Sequence, residues 1–182
     1  IEDFPGFLEY VRANPGAMIN GNDSPGGFSF LNAAFIEASF GIELTKVPYQ
    51  GYAPTVGALV AGEVMSAMLP VPMVADLHRN GDVRVLAVAA EERHFALPEV
   101  PTFNEFGQEY VFTDYVMFFG PKGMDPARKA ALEAALVKAM SDEDFRSRGA
   151  GMGLILQPGG AEAASALVAE IDGKVYPVME AA

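Results

Sequence analysis

Two short loops contain most of the side chains that could bind a small anion. The first loop, residues 20–27, has the sequence NGNDSPGG and is followed by a helical pattern that begins at Phe28. Its candidate ligand-binding residues are Asn22, Asp23, Ser24, Gly26 and Gly27. Backbone N–H groups at a helix start, together with the positive end of the helix dipole, form an anion site. The same residues also suit a plain turn and helix cap, so both interpretations stay open.

The second loop, residues 48–51, joins another predicted strand to another predicted helix. Its candidate ligand-binding residues are Tyr49, Gln50 and Gly51. Tyr49 offers a ring and a hydroxyl, and Gln50 offers an amide that both donates and accepts. Ligands of open α/β sheets bind at such strand-to-helix turns. The sequence therefore predicts that this loop lines the same ligand site as the first loop. The alternative is that Pro48 and Gly51 only shape the turn.

Catalytic and metal-binding patterns are weak in this sequence. The chain has no Cys and two His, His78 and His94, which excludes thiolate chemistry and Cys-based zinc sites. No Ser/His/Asp order or nucleophile elbow is visible. We therefore predict no catalytic residue, no metal site and no cofactor. An enzyme would depend on Asp23 or Tyr49, which are the titratable groups of the two loops.

Composition limits the class of partner. Of 182 residues, 51% are apolar, and 24 acidic against 12 basic residues give a net charge of −12. Such a chain has no basic surface to release counterions, so nucleic acid and anionic membranes are not expected partners. No apolar run approaches the roughly 20 residues of a membrane span. The chain begins at Ile1 without a signal-like segment, and we expect that an upstream segment has been removed.

Strands and helices alternate through the first half of the chain. Helices are predicted between Asp3 and residues 14–16, and at residues 28–40, 53–61 and 71–80. Strands are predicted at residues 17–19, 42–47, 64–69 and 83–89. This order predicts βαβ units with right-handed crossovers and a parallel sheet, which is an α/β fold.

The second half has a different pattern. Short helices are predicted near Thr102 and at residues 142–148, and longer helices at residues 126–140 and 160–175. Strands are predicted at residues 111–119 and 154–156. The first of these is rich in β-forming residues.

Five segments together resemble one protein family. They are ANPG at 13–16, VPYQGYAPTVGALVAGEV at 47–64, GDVRVLAVA at 81–89, LPEVPTFNEFG at 97–107 and FGPKGMDPARKAALEAAL at 119–136. In register over nearly the whole chain, they resemble the periplasmic solute-binding proteins of tripartite tricarboxylate transporters, the Bug family. No single segment is specific, but the combination is.

The resemblance implies a periplasmic-binding-protein-like (type II) Venus-flytrap fold that closes on a small organic carboxylate. Residues 1–88 would form the second lobe, which binds ligand. Residues 89–182 would form the crossover and the C-terminal part of the first lobe. The N-terminal part of that lobe would be missing, and the exposed edge would favour pairing with another copy of the chain.

The resemblance also places the family's ligand loop on residues 22–27, with Gly26 on its usual glycine, and the ligand turn on residues 49–51. Where many relatives have Ser, His, Lys and Asp, this chain has Gly27, Phe30, Gln50 and Leu69. The change at Leu69 removes a partner for an ammonium group. We therefore expect a mono- or dicarboxylate with an apolar or aromatic body, held by backbone N–H groups and Asn22.

The leading functional hypothesis is capture of that carboxylate in the periplasm and its delivery to the membrane permease subunits of the transporter. A second hypothesis is a ligand sensor that docks onto a membrane signalling receptor, which needs the same closure. A third is a small α/β enzyme that acts on a carboxylate or phosphate.

Overall fold

The structure, a computed structural model, describes residues 1–112 and 115–181, with side chains up to residue 173. The chain divides into two compact units, Ile1–Asp114 and Tyr115–Ala181. The first unit includes residues 89–114, because the segment after Val88 packs on the first helices, and the lobe boundary at residue 88 stays a prediction. The assignment of the two parts to lobes stays a prediction.

The first unit alternates helices and strands, as predicted. In chain order its elements are α1 (Phe4–Ala13), β1 (Ile19–Asn22), α2 (Phe28–Phe40), β2 (Thr45–Pro48), α3 (Tyr52–Ala61), β3 (Ser66–Ala67), α4 (Val71–Asn80) and a 3₁₀ helix (Phe103–Phe106). Asp3 caps α1 by accepting from the Gly6 N–H at 2.8 Å. Helices α2, α3 and α4 each end at a glycine in the left-handed conformation.

The three strands form one parallel sheet in the order β2-β1-β3, which confirms the predicted α/β class. In the register of β1 and β2, Ile19 lies opposite Thr45 and Asn22 lies opposite Pro48. The carboxyl ends of both strands therefore meet at one edge of the sheet. The two candidate loops begin side by side at that edge.

Two strands are shifted along the chain from their predicted positions, because nearby turns use the backbone groups. Ala17 N–H donates to Asn14 O at 3.1 Å, so β1 begins at Ile19 instead of residue 17. The Leu44 N–H donates to the Glu37 side chain at 2.7 Å, so β2 begins at Thr45 instead of residue 42.

Of the other two strands predicted in this unit, one is shorter than expected and one does not form. Within the predicted strand 64–69, β3 is limited to Ser66–Ala67, and the preceding Met65 N–H donates to Ile19 O at 2.9 Å. Residues 83–89 form one parallel bridge, between Val88 and Thr102, in place of a strand. Val88 N–H donates to Pro101 O at 2.9 Å, so a loop supplies the pairing that the sequence attributes to a strand. The apolar residues of this segment indicate that it is buried, and a segment can be buried without the backbone hydrogen bonds of a sheet.

The segment after Val88 completes the core of the first unit. Phe4 of α1 packs against Phe40 and Phe103 with ring centroids 4.9 and 5.0 Å apart. Tyr110 stacks on Phe35 of α2 at 4.1 Å. These contacts hold residues 103–112 against α1 and α2.

The second unit consists of α5 (Pro126–Met140), α6 (Glu143–Gly151) and α7 (Ala161–Ala181). The predicted helices are confirmed, and the last one extends past residue 175. None of the side chains of α5 is fully buried in the described structure. Large apolar side chains are exposed instead, and they include Val116 at 90%, Phe119 at 83% and Ile155 at 63%.

The two strands predicted in the second half do not form in the part of the chain that the structure describes. Residues 111–112 and 115–119 have no strand pairing, and Thr113 and Asp114 lie outside the described residues. Residues 154–156 are also unpaired as a strand. A β-forming sequence needs a neighbouring strand for its backbone hydrogen bonds.

Candidate ligand-binding site

The two loops predicted to bind ligand lie next to each other. Tyr49 N–H donates to Asn22 O at 2.6 Å, which continues the β1–β2 pairing to the point where both loops leave the sheet. The loops then lead into the first turns of α2 and α3. The edge at the carboxyl ends of parallel strands is where open α/β sheets bind ligands.

Asp23 caps helix α2 from within the first loop. Its Oδ1 accepts from the Phe30 N–H at 3.0 Å and its Oδ2 from the Ser29 N–H at 3.2 Å. The Ser29 hydroxyl accepts in return from the Asp23 N–H at 2.8 Å. Gly27 is the N-cap residue and has no side chain for this role. The positive end of α2 therefore already holds a carboxylate that belongs to the chain.

The rest of the first loop is shaped around Asp23. A Cβ atom built on Gly27 would lie 2.5 and 2.6 Å from the two carboxylate oxygens of Asp23, so a larger residue would displace this carboxylate. Gly26 adopts φ 84°, where glycine is favoured. Ser24 is exposed, and its carbonyl accepts from the Gly27 N–H at 2.8 Å. The loop is a tight turn closed by its own hydrogen bonds.

The start of helix α3 is different. Gly51 is the N-cap residue at φ 94° and ψ −178°, and among the described residues no side chain caps this helix. The carbonyl of Gly51 accepts from the Thr55 hydroxyl at 2.9 Å. Tyr49 is half-buried and Gln50 is exposed. Within the described residues, the N-cap of α3 therefore lacks the side-chain carboxylate cap that Asp23 gives to α2.

Asn22 lies under the loop and is fully buried, at 0% exposure. Its side-chain N–H donates to Asn20 Oδ1, and the Asn20 amide donates to the Ser66 hydroxyl at 2.9 Å. Asn22 Oδ1 has no hydrogen-bond partner within the described part of the chain. An unsatisfied buried acceptor typically costs about 1–3 kcal/mol. The row of three polar groups thus ends in an unpaired oxygen.

Three aromatic residues next to the loops form an aromatic patch that sequence reasoning missed: Phe28, Tyr52 and Phe112. Phe28 begins α2 and Tyr52 begins α3, with ring centroids 6.4 Å apart. Phe112 lies 5.1 Å from Phe28. An aromatic residue directly after each loop is a sequence signal for the first two. Nothing local in the sequence indicates Phe112, which tertiary packing brings in.

A lysine near the first loop is already paired. Lys46 forms an ion pair with Glu37, and its ammonium lies 5.6 Å from the centroid of the Phe30 ring. Residues 20–27 and 48–51 contain no Lys, Arg or His. Any anion bound in these loops would therefore rely on N–H and O–H donors.

The clear pKa shifts lie away from the loops. A side-chain hydrogen bond from Arg93, supported by the Thr102 N–H, lowers the pKa of Glu105 to about 2. Burial raises the pKa of Tyr110, whose hydroxyl donates to Asn32 Oδ1. Both groups stabilise the segment after residue 88.

In the described part of the chain, no group of three His, Cys, Asp or Glu residues is arranged to hold a metal ion. Within the same residues, no helix is both long and apolar enough to cross a membrane.

The sequence matches one family, described as "Tripartite tricarboxylate transporter family receptor", over residues 1–180. A protein of Cupriavidus necator, named "UPF0065 protein in gbd 5'region", is 33% identical over 142 residues, which cover 77% of this chain and 42% of that protein. The chain spans less than half the length of the first five curated relatives that it matches.

Solved structures share the fold. "R. palustris Rpa4515 with adipate" superposes with a TM-score of 0.89 at 23% identity, covering 99% of this chain and 62% of that one. "MatC (Rpa3494) from Rhodopseudomonas palustris with bound malate" gives a TM-score of 0.83 at 25% identity, covering 97% and 62%. The predicted periplasmic-binding-protein-like fold is confirmed by these matches.

Proposed function

The chain belongs to the tripartite tricarboxylate transporter receptor family, and on that premise we propose that it captures a small organic carboxylate in the periplasm and delivers it to the permease subunits of such a transporter. The family consists of periplasmic solute-binding receptors, not enzymes. Two similar proteins are solved with adipate and with malate, which are both carboxylates.

The observation that carries the proposal is the uncapped start of α3 beside the first loop. Its N–H groups, including those of Gly51 and Ala53, would hold the ligand's carboxylate, and Gln50 and Tyr49 would flank it. Pro54 has no N–H, so the donors are confined to the very start of the helix. Ser24, Gly26 and Gly27 would form the facing wall.

Asn22 fits this function if its row of hydrogen bonds runs in the opposite direction. A hydroxyl and an amide can each donate and accept. When the Ser66 hydroxyl donates to Asn20, both amides turn, and Asn22 presents an N–H at the position of its unpaired oxygen. A carboxylate accepts only, so this direction is the one that suits the proposed ligand.

The aromatic patch supports an apolar or aromatic ligand body. Phe28, Tyr52 and Phe112 are half-buried, so part of each ring remains available next to the loops. Burying apolar surface stabilises a complex by roughly 25 cal/mol per Å². A carboxylate with a ring or a short alkyl chain would use both the donors and this patch.

A thermal-shift screen of the purified full-length protein tests ligand capture. The panel is adipate, malate, hexanoate and benzoate. Binding at 100 times the Kd stabilises the native state by about 2.7 kcal/mol, which a melting curve resolves. We expect a clear rise in Tm with at least one of them, and no rise with any of them would contradict the proposal.

Gln50→Glu provides the site-specific arm of the screen. It places a negative charge at the start of α3, so the Tm rise should disappear while the helix itself is slightly stabilised. Gln157→Glu, which makes the same charge change at an exposed residue of the second unit, should keep the rise. An equal rise in Tm for both variants would mean that the carboxylate binds away from the start of α3.

Delivery to the transporter needs a separate measurement. Uptake of the labelled carboxylate into cells that carry the permease subunits should depend on this protein. A sensor that docks onto a signalling receptor would leave uptake unchanged and alter transcription instead. Fractionation should recover the protein in the periplasm.

Self-association stays a prediction. We expect pairing at the exposed edge that the resemblance implies, and exposed side chains of the second unit such as Val116, Phe118 and Phe119 would add apolar surface. Sedimentation across a range of concentrations tests it. A monomer at all concentrations would contradict it.

A further inference from the structure

The carboxylate of Asp23 occupies the anion position of helix α2, and this has a consequence for which ligands fit. We infer that Asp23 is a specificity-determining residue, which makes the site prefer a monocarboxylate to a dicarboxylate. The inference rests on the proposed capture of a carboxylate and goes beyond it by naming the ligand class. Asp23 would repel a second carboxylate of the ligand and would not itself bind the ligand.

The geometry shows that Asp23 is held in place. Both of its oxygens accept backbone N–H groups of α2, from Phe30 at 3.0 Å and from Ser29 at 3.2 Å. The Ser29 hydroxyl, on a residue 1% exposed, accepts the Asp23 N–H at 2.8 Å. Two hydrogen bonds therefore hold the Asp23 side chain and a third holds its backbone at the start of α2, and Gly27 leaves the space that the side chain needs.

The electrostatics of the first loop then disfavour a second negative group. The dipole of α2 is already compensated by Asp23, so an incoming anion gains little from it. The loops contain no Lys, Arg or His to offset the charge of Asp23. Lys46, near the first loop, is paired with Glu37. A ligand carboxylate that approached this loop would meet a like charge in a partly desolvated place.

The start of α3 has the opposite character, because no side chain of the described residues caps it. One anion position is thus filled by the protein and one is open. A ligand with one carboxylate and an apolar body can use the open position and the aromatic patch together. On this edge of the sheet, a second ligand carboxylate would lie next to Asp23 or in solvent.

The test compares ligands that differ only in the second carboxylate. Isothermal titration at pH 7.5 and low salt measures benzoate against terephthalate and heptanoate against pimelate, on the full-length protein. The unmodified protein should bind each monocarboxylate about tenfold tighter than its partner. Asp23→Asn keeps a cap on α2, because Asn caps helices as well as Asp, and should reduce this preference about tenfold.

Asp82→Asn is the matched control, since it removes the same charge at an exposed residue of the same unit. It should leave the preference unchanged. Added salt should also weaken the preference of the unmodified protein, because charge repulsion is screened. If both proteins bind but Asp23→Asn has the same ratio of monocarboxylate to dicarboxylate affinity as the unmodified protein, the inference alone is overturned. Absence of binding by every carboxylate to both proteins would overturn the proposed function as well.

Discussion

Helices α2 and α3 begin alike in sequence and differ in chemistry. Each follows a strand of the same parallel sheet, has glycine at its N-cap and begins with an aromatic residue. Helix α2 is capped by Asp23, whereas among the described residues no side chain caps α3. Two helix starts at one edge of a sheet are therefore not equivalent anion sites. The nearest carboxylate of the chain decides which of them is open.

The largest expected effect comes from Gly51 at the open helix start. Its φ of 94° with ψ of −178° is a conformation essentially confined to glycine, so Gly51→Ala should destabilise the fold by about 1–3 kcal/mol and abolish carboxylate binding. Denaturant unfolding and titration with benzoate measure both.

Gly26→Ala is the control for Gly51→Ala, because Gly26 also has a positive φ, 84°, and open space around its Cβ position. It belongs to the loop whose anion position is filled. We expect some loss of stability and a smaller loss of affinity. Equal losses of affinity in the two variants would contradict the proposal that the ligand's carboxylate binds at the start of α3 and not at the first loop.

The next effect is the energetic coupling between Asp23 and Gly27 in the stability of the fold. Gly27→Ser alone displaces the Asp23 carboxylate and should cost about 1 kcal/mol of stability, as loss of a cap does. Gly27→Ser together with Asp23→Gly should cost less than the sum, because Ser at the N-cap then caps α2 itself. A double-mutant cycle by urea unfolding measures the interaction energy. Additive effects would mean that Asp23 does not act as the cap in solution.

A smaller effect is expected for Ser66, which is the end of the hydrogen-bonded row formed with Asn20 and Asn22. Ser66→Ala removes the hydroxyl that sets the direction of the Asn20 and Asn22 amides. Affinity for benzoate should fall by a few fold, with little change in Tm, because Ser66 is only half-buried. Ser165→Ala, in the second unit, should leave affinity unchanged. A drop in Tm with unchanged affinity would assign Ser66 a structural role only.

The smallest effect is on the pH dependence of stability. It concerns Glu105, which, unlike Asp23, is a carboxylate that is also paired with an arginine. Glu105 accepts from the Thr102 N–H at 3.0 Å and pairs with Arg93, and its pKa is lowered to about 2. A lowered folded-state pKa contributes stability above the unfolded value of about 4.3, which is lost as pH falls from there towards 2. Glu105→Gln should remove this part of the acid dependence of Tm. An unchanged slope between pH 5 and 2 would contradict the assignment, whereas Glu109→Gln should leave the slope as it is.

Much of the first unit can be predicted from the sequence, because its signals are local. Gly41, Gly62 and Gly81 end helices where the sequence places them, and the strand-helix order gives the parallel sheet. The same order brings the two loops to one edge. The helices of the second unit follow from equally local signals, such as Pro126 at the start of α5.

The rest depends on contacts between distant residues. Residues 83–89 are as apolar as a buried strand, yet Val88 pairs with a loop that is fixed by its capped 3₁₀ helix. Phe112 joins the aromatic patch through the packing of Tyr110 on α2. The cap by Asp23 spans a turn whose shape the sequence alone does not give. The sequence places this loop between β1 and α2, as the structure does, and the role of its residues in binding a ligand stays a prediction.

The most direct test of the account is an NMR titration of the ¹⁵N-labelled full-length protein with benzoate. If the ligand's carboxylate binds at the open helix start, the amide signals of Gly51 and Ala53 should shift saturably. Those of Ser29 and Phe30, whose N–H groups already bind Asp23, should stay in place. Shifts at Ser29 and Phe30 with none at Gly51 and Ala53 would contradict the account.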